Sequence, residues 1–242
     1  FLDGSPQGKT AWLSEPYFIP PEGEEAGYRG EAAHADEEVE ASFARCLENG
    51  WQLNAHANGD AAIEQMIRCY AQAMERTGVY ADLRPVVIHC QTARPDQLER
   101  MRDLGMLASF FVDHVYYWGD YHIKSVLGPG RAARISPAAE ALAMGVRFTL
   151  HEDAPVIPPH AMFSVHNAVN RRTRAGILLG EGIPVFEAMR AITCNGAYQI
   201  FEEDRKGTIQ PGKAADFALL DQNPFTQPPD ALGEIQVNMT VK

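Results

Sequence analysis

Three short apolar runs in the sequence each end in a side chain that can bind a metal ion or move a proton. The runs are rich in β-branched and aromatic residues and are bounded by turn or helix signals, so they predict buried β-strands. Two of them end in histidine, at His56 and His89, and the third ends in Asp153, just ahead of a proline. Their sequences are WQLNAH (51–56), PVVIHC (85–90) and VRFTLHEDAP (146–155).

Helical patterns separate these strands. Residues 36–50 open with acidic side chains and end at glycine, residues 61–77 carry apolar side chains at helical spacing, and residues 95–105 run from a proline to a glycine. Residues 106–112 form one more apolar run. This alternation of strands and helices with short joins predicts βαβ units and a parallel sheet, and therefore an α/β fold.

A long connection rich in aromatic residues is predicted at residues 112–135, after the strand at 106–112. Long loops at the carboxyl ends of strands are often functional, so its polar side chains are candidates for holding a substrate. A loop that packs its own aromatic residues over the sheet explains them equally well. The candidates are His114, Tyr117, His122 and Arg131.

The end of the chain departs from the strand and helix alternation. Helices are predicted at about residues 160–171 and from Pro184 onward. Residues 215–220 and 234–241 instead alternate between apolar and polar positions, which predicts short strands. These last strands are expected to form a small separate sheet.

The strand ends define the candidate site. Because the carboxyl ends of parallel strands meet at one edge of a sheet, His56, His89 and Asp153 can converge there. Neutral imidazole and carboxylate groups suit zinc and similar divalent ions. His151 is expected on the same side of its strand end as Asp153, as a substrate or proton contact, and a structural hydrogen bond explains it equally well. A single strand-end histidine is more often a structural residue, so the metal prediction depends on the ordered set of three.

The composition is that of a globular protein. A chain of 242 residues with 45% hydrophobic side chains can bury a sizeable core. It carries 21 Lys and Arg against 32 Asp and Glu, a net charge of -11, which disfavours nucleic acid and anionic membranes and leaves a small-molecule substrate as the expected partner. No apolar run approaches the roughly 20 residues of a membrane-spanning helix. Dispersed cysteines without a CxxC motif predict free thiols and a cytoplasmic location.

Five motifs resemble the amidohydrolase superfamily of metal-dependent hydrolases, in the branch that includes N-substituted formamide deformylase-like proteins. The resemblance implies a partial TIM-type (β/α) barrel, strands five to eight, over residues 1–205, and C-terminal strands of a small β-sandwich over residues 206–242. The motifs are DGSPQGKTA (3–11), HANGDAAIE (56–64), IHCQ (88–91), HEDAPV (151–156) and GTIQPGKAADFALLDQNP (207–224).

By that resemblance, His56, His89 and Asp153 match the family's metal ligands after barrel strands five, six and eight. The implied cofactor is a divalent metal ion, zinc in the first place, with one or two ions in the complete enzyme. The implied reaction is hydrolysis of an amide or other non-peptide C–N bond by metal-activated water. Asp153 is then the catalytic residue that shuttles the proton to the leaving nitrogen.

The chain departs from the family in lacking an HxH pair and the lysine that the family carries on earlier strands. Since it begins at Phe1 and its first methionine is Met66, we expect an incomplete fragment, the C-terminal half of a longer enzyme. The alternatives are a non-catalytic fragment or pseudoenzyme that serves as a binding or assembly module, and an open α/β sheet with purely structural histidines. The uncovered edges and inner face of half a barrel predict a homo-oligomer.

Overall fold

A four-stranded parallel sheet lies at the centre of the protein, for which a computed structural model describes residues 1–242. The strands pair in sequence order, so their carboxyl ends share one edge. This arrangement confirms the predicted α/β class, whereas closure into a barrel stays a prediction. The strands are β1 (Asn54–Ala57), β2 (Val86–His89), β3 (Leu107–Phe110) and β4 (Phe148–Leu150).

Helices connect the strands and follow them along the chain. The predicted helices at 36–50, 61–77 and 95–105 are present, with ends within two residues of those expected. None of the helices is both long and apolar enough to cross a membrane. The α-helices are α1 (Asp36–Glu48), α2 (Asp60–Thr77), α3 (Pro95–Asp103), α4 (His114–Tyr121), α5 (Gly128–Ala132), α6 (Ala138–Ala143), α7 (Ala161–Asn170), α8 (Val185–Ile192) and α9 (Cys194–Gln199).

The two faces of the sheet differ in character. One face belongs to the main hydrophobic core, where Ala55, Val87 and Phe110 are buried together with side chains of α2 and α3. The alternate positions lie on the other face, because successive strand residues point to opposite sides. The register aligns His56 with Ile88, Ile88 with Ser109, and Ser109 with Thr149 on that second face. The second face is therefore more polar, and it carries His56, Ser109 and Thr149.

The prediction of a long loop at residues 112–135 was wrong. The segment is almost entirely helical, with α4 leading into a π-helical turn (His122–Val126) and then α5. His114, Trp118 and His122 are four residues apart and so lie on one helical face, with ring centroids of His114 and Trp118 5.4 Å apart. The glycines and aromatic residues suggested a loop, and this four-residue spacing was the signal for a helix.

The first residues of the chain are fixed to the turn after β1 by a buried carboxylate. Asp3 accepts hydrogen bonds from the backbone N–H groups of Trp12 at 3.0 Å, Asn58 at 3.0 Å and Gly59 at 2.7 Å. A buried charge of this kind is tolerated because the N–H groups replace its lost hydration. Asp3 therefore holds the opening loop against the edge of the sheet where His56 lies.

A separate two-stranded antiparallel sheet lies near the end of the chain, as predicted. Strand β5 (Phe217–Leu220) pairs with β6 (Val237–Val241), and a short 3₁₀ helix (Pro229–Glu234) lies between them. Nearly all residues of the two strands are exposed. The domain boundary at residues 205 and 206 stays a prediction.

Candidate metal centre

Side chains from the ends of β2 and β4 converge at the carboxyl edge of the parallel sheet. His89, His151 and Asp153 each offer one ligand atom, and these atoms all lie within 4.8 Å of one another. His89 is buried, His151 is partly buried and Asp153 is exposed to solvent. Two predicted ligands and one predicted substrate contact thus form a group that could hold a metal ion.

The backbone at this group is conformationally strained. His89, Cys90 and Asp153 have φ angles of 70°, 49° and 51°, which place them in the left-handed region that L-residues rarely adopt. Each such residue costs on the order of 1–3 kcal/mol unless the surrounding structure compensates. Strain of this kind collects at functional sites, and here it falls on two of the three residues that carry the candidate ligand atoms.

Both histidines of the group carry a buried nitrogen without a hydrogen-bond partner. These atoms are Nδ1 of His89 and Nε2 of His151. The other ring nitrogen of His151 is 2.9 Å from the hydroxyl oxygen of Ser109. Because an unsatisfied buried polar atom costs about 1–3 kcal/mol, such atoms call for a partner. An imidazole lone pair is the donor that zinc and related ions take, so the residues present fit a metal ion.

The ionisation of the group also suits a metal ion. Burial lowers the pKa of His89 to about 3, helped by the neighbouring His151 and His56, and burial lowers the pKa of His151 to about 4. Both imidazoles are therefore neutral at pH 7, as metal ligands must be. Burial raises the pKa of Asp153, while the nearby His56 acts in the opposite direction.

His56, the other predicted ligand, lies next to this group and outside the set of three. Its ring centroid is 4.7 Å from that of His89. Its Nδ1 lies 3.3 Å from Asp3 Oδ1, and its Nε2 lies 3.2 Å from Asn58 Nδ2. Asp60, at the start of α2, accepts hydrogen bonds from Ser14 and Arg94. The role of His56 as a ligand stays a prediction.

Two further histidines lie buried behind His89. The ring of His114 is 5.9 Å from that of His89, and the ring of His122 is 6.4 Å from that of His114. Their Nε2 atoms lie 3.4 Å and 3.1 Å from the side-chain nitrogens of Gln7 and Gln91, and their Nδ1 atoms have no partner. Burial lowers the pKa of His122 to about 4 and that of His114 well below its usual value. A string of neutral imidazoles therefore extends inward from the candidate metal centre.

The remaining predicted substrate contacts do not join this string. The ring of Tyr117 packs against those of Tyr116 and Phe163, at centroid distances of 5.2 Å and 6.1 Å. Arg131 lines a separate cavity of about 130 Å³ together with Asp60. Its guanidinium donates to the backbone carbonyls of Leu127, Glu15 and Pro16.

Sequence reasoning missed a buried carboxylate, Asp113, which follows β3. It is fully buried and accepts hydrogen bonds from Ser164, at 2.7 Å, and from Asn167 of helix α7. Burial raises the pKa of Asp113 to about 6, although both hydrogen bonds oppose this change. The one signal in the sequence was a carboxylate at the end of an apolar run, the same signal that identified Asp153.

The raised pKa of Asp113 predicts a pH-dependent stability. Because its folded pKa of about 6 lies above the unfolded value of about 3.9, its contribution is fully present below about pH 4 and is lost as pH rises through 6. Relative to Asp113→Asn, wild type should therefore lose about 2–3 kcal/mol of unfolding free energy between pH 4 and pH 7. Urea denaturation at both pH values measures this, with the exposed Asp204→Asn variant as control. A difference between wild type and Asp113→Asn that does not change with pH would contradict the assignment.

Comparison with known proteins identifies a family from the sequence. The model of a family described as the amidohydrolase family matches residues 1–242. A putative amidohydrolase, YtcJ, of Bacillus subtilis strain 168 is 27% identical over 249 residues, which cover 100% of this chain and 45% of that protein. The N-substituted formamide deformylase of Arthrobacter pascens is 27% identical over 209 residues, covering 86% of this chain and 38% of that protein. The chain thus spans less than half the length of these relatives.

Among solved structures, an uncharacterized metal-dependent hydrolase from Pyrococcus furiosus is similar over most of the chain. It is 27% identical with a TM-score of 0.75, and the match covers 93% of this chain and 44% of that one. A second uncharacterized metal-dependent hydrolase, from Pyrococcus horikoshii OT3, has a TM-score of 0.76 at 22% identity and supports the fold alone.

Proposed function

The chain belongs to the amidohydrolase family, and we propose that it takes part in metal-dependent hydrolysis of a small molecule at the site formed by His89, His151 and Asp153. The observation that carries this proposal is the convergence of three ligand atoms within 4.8 Å, with a buried, unpartnered nitrogen on each histidine. His56 is proposed as a further ligand, since its ring lies 4.7 Å from that of His89.

The proposed cofactor is a divalent metal ion, with zinc favoured because two neutral imidazoles and one carboxylate suit it. When bound, such an ion lowers the pKa of a water molecule and polarises the substrate carbonyl. The protein's contribution is to hold His89 and His151 neutral by burial, so that their lone pairs are available.

Asp153 is the proposed catalytic residue. Its side chain is exposed on the segment that follows β4, and partial desolvation of its carboxyl group raises its pKa, which suits a group that takes up a proton and releases it again. It accepts the proton of the attacking water and returns it to the leaving nitrogen of an amide or other non-peptide C–N bond. The relative named N-substituted formamide deformylase supports this bond class.

The substrate is proposed to lie along the buried histidines. His114 and His122 extend inward from His89 and carry unpartnered nitrogens that can bind polar groups of a substrate. The aromatic rings around Tyr117 suit a bulky apolar substituent. A role for Arg131 requires that it release the backbone carbonyls it now contacts, and like Tyr117 it stays a prediction.

Metal content separates this proposal from its alternatives. The purified chain loaded with zinc should hold about one ion per chain by elemental analysis. His89→Ala and Asp153→Ala should lose it, because each removes a ligand, while His34→Ala on the exposed surface should retain it. Zinc bound equally by all variants, or absent from wild type, would contradict the proposed site.

Hydrolysis assays on wild-type and variant protein test whether the site is catalytic. Hydrolysis of N-substituted formamides and simple N-acyl amines should fall by about 10²-fold or more in Asp153→Asn, since the proton shuttle is removed. A chain that holds the metal ion yet hydrolyses none of these compounds would instead support a non-catalytic binding or assembly module.

We also propose a homo-oligomer in the cytoplasm. All four cysteines are free, in keeping with a reducing compartment. The side chains of Leu219, Val237 and Met239 in the small sheet are 46%, 49% and 56% exposed, which favours pairing with another chain. Light scattering should therefore give a multiple of the 26.7 kDa chain mass, and a monodisperse species of 26.7 kDa would contradict this proposal.

A further inference from the structure

A line of hydrogen bonds along the polar face of the sheet connects His151 to helix α9. His151 Nδ1 lies 2.9 Å from Ser109 Oγ, and Ser109 Oγ lies 3.0 Å from Thr149 Oγ1. Thr149 Oγ1 lies 2.7 Å from the side-chain carbonyl oxygen of Gln199. Ser109 and Thr149 are paired across β3 and β4 and are both buried. Four side chains thus form one relay.

The protons available in this relay determine which group donates in each hydrogen bond. An amide carbonyl oxygen only accepts, so Gln199 takes the single hydroxyl proton of Thr149, across the shortest of the three distances. The oxygen of Thr149 can then only accept, and Ser109 directs its own proton toward it. Ser109 therefore presents a lone pair to His151, and His151 Nδ1 must carry the proton that joins them.

The opposite direction would leave His151 without a lone pair at its unpartnered nitrogen. If Ser109 donated to Nδ1, the imidazole proton would lie on Nε2, which is buried and has no acceptor. With the proton on Nδ1, Nε2 instead has a free lone pair. Ring nitrogens of metal-binding histidines are generally set in this way by the hydrogen bond on the other nitrogen.

We propose that Gln199, acting through Thr149 and Ser109, is a positioning residue that fixes His151 in the Nδ1–H tautomer and so presents its Nε2 lone pair to the metal ion. The last step rests on the proposed function, whereas the tautomer is a property of the metal-free chain. The relay also accounts for two buried hydroxyl groups, at Ser109 and Thr149, in strands whose other positions are mostly apolar.

The tautomer can be read directly by long-range ¹H–¹⁵N NMR of the metal-free chain, with His151→Gln used to assign the signals. Wild type should show the Nδ1–H form. Thr149→Val and Gln199→Met should shift His151 to the Nε2–H form. In Thr149→Val the proton of Ser109 has no acceptor but Nδ1, and in Gln199→Met the freed proton of Thr149 is donated to Ser109, which then donates its own proton to Nδ1. Gln199→Glu, whose carboxylate only accepts, and Thr149→Ser, which keeps the hydroxyl, should retain the Nδ1–H form.

Thr77→Val is the matched control, since the hydroxyl of Thr77 contacts only the backbone carbonyls of Ala73 and Met74 and the backbone N–H of Val79. It should leave the tautomer of His151 unchanged. An Nε2–H form in wild type, or the same tautomer in wild type, Thr149→Val and Gln199→Met, would overturn the relay.

Zinc titration against a competing chelator tests the second step. Thr149→Val and Gln199→Met should weaken zinc binding by roughly 10–100-fold, the usual effect of losing an outer partner of a metal ligand. Gln199→Glu and Thr77→Val should bind as wild type does. If wild type binds no zinc, the proposed function fails and the metal step fails with it. If wild type binds zinc and both relay variants bind it equally tightly, the metal step of the inference alone fails.

Discussion

Parallel pairing of the four central strands determines where the candidate metal ligands of this protein lie. Because β1 to β4 run in one direction and in sequence order, their carboxyl ends open on one edge of the sheet. The strands are only three or four residues long, so a side chain just after a strand cannot move far from that edge. His89 and Asp153, 64 positions apart by their numbers in the chain, thereby come within reach of a single ion.

The buried histidines lower the stability of this arrangement. Four of them, His89, His114, His122 and His151, are held neutral in buried surroundings, and each retains a nitrogen that no protein group satisfies. A fold selected for stability alone would replace such groups with apolar ones. The left-handed backbone at His89 and Asp153 also lowers stability. Destabilising features of this kind are expected where a site is built to bind a ligand.

Much of this fold follows from hydrophobic periodicity, while the site follows only in part. The sequence predicted the four central strands, the first three helices and the two antiparallel strands near the end of the chain, because each has a clear apolar pattern between turn residues. The strand-end rule also located His89 and Asp153. It placed His151 on the same side as Asp153 but not among the ligands, because that depends on backbone angles after β2 and β4 that no pattern specifies. The roles of Ser109 and Thr149 depend on the register of β3 against β4, which local sequence does not encode.

Crystallography of the zinc-loaded chain, with anomalous scattering recorded at the zinc absorption edge, would test the central claim most directly. The account predicts one dominant peak at about 2.0–2.2 Å from a ring nitrogen of His89, Nε2 of His151 and a carboxylate oxygen of Asp153. A further contact from His56 would complete the predicted ligand set. A peak bound elsewhere on the surface, or no ordered zinc at this edge of the sheet, would contradict it.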